Sequence, residues 1–190
     1  NVGLGRSTVD KTYDGFVKYK FLKQSKGVKN MPVTVAWISH MGITTLKWPQ
    51  HQRENFFSSR LHYTHQLLIA RKLTEGLSIQ LSPTITHLNL IDSTKYNNDI
   101  ISLGIGVRQK LTDRTSVNLE YFYVLPDQMD SDKTNALSIG FDVETGGHVF
   151  QLFFTNSSGP FEKSFITDTR AKWLDGNVRF GFNIARVFNF

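Results

Sequence analysis

Apolar side chains recur at every second residue along most of this 190-residue chain, and that spacing constrains its fold more than any other feature. Val117, Leu119, Tyr121 and Tyr123 alternate with Ser116, Asn118 and Glu120, and Ile101, Leu103, Ile105 and Val107 alternate with Ser102, Gly104, Gly106 and Arg108. The same pattern runs through residues 17–21, 61–69, 77–86, 137–144 and 178–185. A period of two sends alternate side chains to opposite faces of a strand. Segments 32–40 and 148–155 are apolar on both faces, which leaves their register open. Pro83, with no N–H to give, predicts a bulge or an end of pairing. No amphipathic helical stretch of about 11 residues survives the count, so the chain reads as all-β.

Composition narrows the class. There is no cysteine, which excludes disulfide scaffolds, thiolate metal sites and cysteine nucleophiles. No apolar run approaches the roughly 18 residues of a membrane helix. Yet a mean hydropathy below zero stands beside 13% aromatic residues, with 15 Phe. A helical membrane protein and a disordered chain are both excluded, whereas a membrane β-barrel, half apolar and half polar along each strand, is not.

The connections alternate in length. Short turns are expected at 72–76, 111–114 and 145–147, and long polar loops at 41–58, 91–98, 125–135 and 157–175. Such alternation predicts an antiparallel up-and-down meander with its short turns at one end, the asymmetry of outer-membrane barrels. Counting the opening NVGLGRS as a partial strand gives ten strands in a single domain, 1–190, with both termini periplasmic and the 23–31 link on the same side.

A soluble lipocalin-like barrel would bury the same apolar stripe. Lipid contact is favoured by the charged opposite face and by Tyr13, Trp37, Trp48, Tyr63, Tyr121, Tyr123 and Trp173, which tend toward strand ends as interfacial girdles do. The terminal strand, with Phe188 and the final Phe190, resembles the C-terminal membrane-insertion signal of outer-membrane barrels. Arg186 interrupts that run near the predicted rim, where a long side chain snorkels.

Several blocks resemble an uncharacterised β-barrel family of Bacteroidota outer membranes, a domain of unknown function: residues 13–24, 66–87, 103–123, 142–159 and 176–188, with TGGHVFQL the most specific. The resemblance implies a Gram-negative outer-membrane location and carries over no catalytic residue. Members of that family usually have a signal peptide and further strands before the point where this chain starts, so the resemblance implies that the N-terminal part is missing here and that the full barrel has about twelve strands.

Candidate chemistry starts from the net charge of +6. Lys18, Lys20, Arg60, Arg108, Lys110 and Arg179 are expected to line the lumen with Glu120, Asp142 and Glu144. A filled lumen of mutually paired charges is preferred to an anion-attracting pore, because ten to twelve strands make a narrow barrel. His148 is placed near Asp142 and Glu144 across the 145–147 turn, a dyad that a hydrolase could use, although a rim histidine bonded to its turn is preferred. His62 and His65 fall on opposite faces, and His40, His51 and His87 are scattered, so no metal site is expected. The opening GLGRST lacks the features of a phosphate loop, and the Asn156-Ser157-Ser158 sequon belongs to another secretory system. The loop cations Lys47, Arg53, Lys163, Arg170 and Lys172 suit lipid phosphates or solvent. No cofactor is expected, and no nucleic-acid partner. The leading functional reading is a non-enzymatic outer-membrane barrel with a structural or interaction role, its partners being outer-membrane lipid and other subunits of a larger assembly. The alternative is a passive, anion-preferring channel, and an outer-membrane hydrolase ranks third.

Overall fold

The computed structural model describes residues 1–48, 54–91 and 97–186. Ten strands form one antiparallel sheet in sequence order: β1 (Val2–Arg6), β2 (Thr12–Leu22), β3 (Thr34–Thr44), β4 (Leu61–Lys72), β5 (Leu77–Leu88), β6 (Asp99–Lys110), β7 (Thr115–Val124), β8 (Ala136–Thr145), β9 (His148–Thr155) and β10 (Arg179–Arg186). From β3 onward long and short links alternate as expected, whereas residues 7–11 between β1 and β2 form a shorter link than residues 23–33 between β2 and β3. At the tightest turn, Gly146 and Gly147 both take positive φ, where a side chain would be strained. The loop expected from residue 41 starts later, because β3 runs on to Thr44. Pro83 interrupts the β4–β5 ladder between the pairs Gln66↔Thr84 and Ile69↔Leu81, but the register is the same on both sides, so no bulge forms. Phe188 and Phe190 lie outside the described residues.

Register resolves the two ambiguous segments. Ala36, Ile38, His40 and Gly42 share the inner face with Leu68, Gln66, Thr64 and His62, while Val149, Gln151 and Phe153 share it with Glu144, Asp142 and Gly140. The outer face carries Val17, Tyr19, Phe21, Leu81, Ile85, Ile101, Ile105, Phe141, Phe154, Phe180 and Phe182, all exposed. Buried positions inside are mostly polar, among them Thr12, Thr64, Thr84, Thr86, Ser82, Ser102 and Ser116. The protein is therefore inside out relative to a water-soluble sheet protein, whose apolar face is buried.

Glycines on the inner face make room for rings. Gly3, Gly42, Gly104 and Gly181 pair directly with Phe16, His62, Phe122 and Phe153, and a Cβ at any of them would run into the partner's ring. Each ring thus lies flat across its neighbour's backbone, the aromatic cover over glycine seen in curved sheets.

The link between β9 and β10 shows that the sheet curls. It contains a short helix, α1 (Glu162–Thr167), within what the sequence reads as plain loop. Asn156 bonds to β8 at one end of this link, yet Lys163 contacts Asp10 in the β1–β2 turn. Closer still to Asn156, a Cβ at Gly159 would lie 3.1 Å from Val9 of that same turn; three residue steps reach at most about 11 Å, whereas a flat sheet would place β2 and β9 about 33 Å apart at 4.7 Å per strand. Only a wrapped sheet brings them together. Among the described residues no ladder joins β1 to β10.

Candidate functional site

The interior divides into two zones. At the long-loop end, α1 and its flanks occupy the mouth. Ile166 is 1% exposed and packs with Leu88, Ile100, Phe122 and Val124, with Phe165, Ile91 and Met129 around them. The Phe165 and Phe122 rings are 4.9 Å apart, and Phe161 stacks on His62 at 5.7 Å. Burying Ile166 contributes about 2–3 kcal/mol. This cluster, which three strands and a loop helix build jointly, is the apolar core of the molecule.

Polar contacts pin the same segment. Asn156 is buried with its amide fully used: Nδ2 donates to the carbonyls of Asn135 (3.0 Å) and Ala171 (2.8 Å), and Oδ1 accepts from the Leu137 N–H (2.8 Å). This occupies the group that the sequon reading needed free. Thr134 N–H donates to the Thr169 carbonyl at 2.8 Å, and Arg170 pairs with Asp132. Lys163 bonds Asp168 at 2.7 Å and reaches Asp10 at 3.5 Å. Asp10 sits at φ 51, a left-handed conformation that Asp tolerates better than most residues. Burial opposes the charge on Lys163, but the two carboxylates outweigh it and raise its pKa above the ordinary 10.5. His40 Nε2 lies 3.4 Å from both Asp14 on β2 and Glu162 on α1, so one imidazole links wall and plug.

Toward the short turns the interior is polar. Arg108 donates to Glu144 (2.8 Å) and to Ser116 (3.0 Å). Asn183 donates to Gln151 (2.8 Å), which donates to Asp142 (3.1 Å). Between this layer and the plug is a cavity of about 300 Å³ bounded by β7–β10 and by Ser157, Gly159, Pro160 and Phe165 of the link.

Strand register puts Lys18, Lys20, Arg108, Lys110, Glu120, Asp142, Glu144 and Arg179 on the inner face. They do not form one group. Arg108 and Glu144 pair, whereas Arg179 turns Nη1 to the carbonyls of Asn156 (3.0 Å) and Ser157 (2.8 Å), fastening the root of the plug. Arg60 precedes β4 at the long-loop rim, donates to the carbonyls of Thr44 and Leu46, and stacks on Trp48 at 4.2 Å. Lys18, Lys20 and Glu120 make no ion pair among the described residues.

One reading of a single residue needs correction. His148 pairs with Thr145 and faces outward, while Asp142 and Glu144 face inward, so the dyad does not form. Trp48 lies under Arg60, and the Trp173 indole N–H donates to the Leu137 carbonyl of β8 at 3.0 Å. Sequence reasoning missed the plug, although Phe161, Phe165 and Ile166 in an otherwise polar link were a visible signal. No group of His, Asp or Glu suited to a metal ion occurs among the described residues.

An apolar outer wall, a polar inner face and a meander wrapped around its own loop define a membrane β-barrel with an occluded mouth. The chain belongs to the family described as Membrane bound beta barrel domain (DUF5777), which it matches over residues 1–188. No curated protein and no solved structure matches it.

Proposed function

We propose that this domain is a non-enzymatic outer-membrane barrel, closed at its mouth, that acts as a structural or interaction module within a larger outer-membrane assembly. The observation that carries the reading is Ile166 buried among Leu88, Ile100, Phe122 and Val124, which fills the interior where a pore would need to be open. The separation of His148 from Asp142 and Glu144 removes the one dyad on which an enzymatic reading rested. In this orientation the long loops are outside, the short turns and both termini are periplasmic, and the outer wall meets lipid. An open edge leaves backbone N–H and C=O groups unpaired in hydrocarbon, so β1 and β10 pair in the membrane, either with each other or with further strands that bring the total to about twelve.

Conductance in planar bilayers tests closure: the wild-type domain is expected to be silent, and a steady open current would overturn the reading. Topology is tested with single cysteines, since the chain has none. In intact cells an impermeant maleimide is expected to label Lys133→Cys but not Asp113→Cys, and the reverse pattern would invert the orientation. A passive anion channel is the second reading. It draws on Lys18 and Lys20, which make no ion pair among the described residues, and it requires the plug to leave.

A further inference from the structure

The cavity beneath the plug has a chemistry of its own. Its lining includes Asn118, Glu120, Ser138, Asp142, Gln151 and Asn183 with the rings of Phe122, Phe153 and Phe165, and it includes no Lys, Arg or His. Glu120 accepts no hydrogen bond and faces no cation among the described residues. Among the described residues Asp142 accepts only the Gln151 amide, through Oδ1. Arg179 borders the cavity beside Thr155 and Ser157, but its Nη1 is spent on backbone carbonyls. Two carboxylates and several amides therefore share a cavity with three aromatic rings.

Glu120 is exposed to the lumen and Asp142 half-buried, and the surrounding walls displace part of the screening water, so a cation that enters the cavity is attracted by both carboxylates. Rings add attraction for the same charge through their faces and for hydrocarbon through burial. A volume of about 300 Å³ is at the small end of ligand pockets. We infer that this cavity is a binding site for a small organic cation, an ammonium or guanidinium on an apolar body, with Glu120 and Asp142 taking the charge and Phe122, Phe153 and Phe165 the hydrocarbon. The polarity is opposite to the anion preference that the lysine- and arginine-rich inner face suggests from sequence. The inference rests on the closed mouth, because the plug supplies the cavity's ceiling.

The test is calorimetric titration of the full chain in a non-ionic detergent with phenethylammonium as probe and 2-phenylethanol as its neutral counterpart. Saturable binding of the ammonium is expected, at least tenfold tighter than the alcohol. Glu120→Gln is expected to weaken it tenfold or more while keeping the heat-modifiable gel mobility of a folded barrel, since the change removes an unpaired charge. Asp142→Asn, which keeps an acceptor for Gln151, is expected to weaken it less. Absence of saturable binding, equal affinity for the alcohol, or unchanged affinity in a folded Glu120→Gln protein would overturn the inference. A silent bilayer with no ammonium binding rejects the cation site alone, whereas an open wild-type current rejects the plug.

Discussion

The two halves of the interior are built on opposite principles, although the same strands line both. At the long-loop end, Leu88, Ile100, Phe122 and Val124 close around Ile166 as a soluble protein's core does. At the short-turn end, the inner positions of those strands and their neighbours are Ser116, Arg108, Asp142, Glu144 and Gln151, held by ion pairs and amide bonds around open space. The contrast teaches that occlusion is local. One inward-folded link fills about one layer of the interior, and the remainder of the lumen keeps the polarity that the alternation assigns to it.

The change expected to break the contrast most strongly is Ile166→Asp. It removes the central apolar side chain and places a carboxylate in its site, an effect of at least about 3 kcal/mol on seating of the plug. A conducting protein with rapid proteolysis between residues 156 and 178 is the expected outcome, and a silent, resistant one would show that the plug does not depend on this cluster.

Two glycines on one face of β6 sharpen the same boundary. A Cβ at Gly104 would lie 2.6 Å from the Phe122 ring and 3.1 Å from Ser82 Cβ, whereas at Gly106 its nearest neighbour is Gln80 Cβ at 3.7 Å. Gly104→Ala is therefore expected to cost about 1–3 kcal/mol by overpacking, and Gly106→Ala nearly nothing. Thermal loss of the compact gel form reads the difference, and equal midpoints would refute it.

The Lys163 link comes next. Its pKa is raised in the folded protein, so its contribution is fully present below the unfolded value and is lost as pH rises through the folded one. Protease access to the 156–178 link is expected to show no Lys163-dependent change from neutral pH to about 9 and to increase above the ordinary lysine value of 10.5. Lys163→Met is expected to abolish that alkaline step. A step that persists in the variant would assign it elsewhere.

The smallest effect belongs to the other zone. Arg108 and Glu144 are 41% and 46% exposed, so a double-mutant cycle with Arg108→Gln and Glu144→Gln is expected to give at most about 1 kcal/mol, reduced by salt. A larger, salt-independent coupling would mean that the lower lumen is drier than its exposure indicates.

Much of this architecture was legible residue by residue. Alternation is a local property, so strand identity, the polar inner face and the placing of long and short links follow from side chains within a few positions of each other. Even the His148 error was avoidable from sequence. A two-residue turn pairs Thr145 with His148, and therefore Asp142 with Gln151, so simple parity puts the imidazole on the outer face. The inward folding of α1 was not legible. Its six residues are too few to show a helical period, and the partners of Ile166 come from β5, β6 and β7, far away in sequence.

By itself, then, the sequence determined an all-β chain with one lipid-compatible face and one polar face, because the pleat sorts side chains by parity alone. Only the tertiary structure decided what the polar face encloses. Wrapping the sheet brings Asp10 to Lys163, spends Arg108 on Glu144 and Arg179 on backbone carbonyls, and leaves Glu120 without a cation among the described residues. A count of inner charges cannot anticipate that outcome, since pairing depends on distances across the curled sheet and not on spacing along the chain.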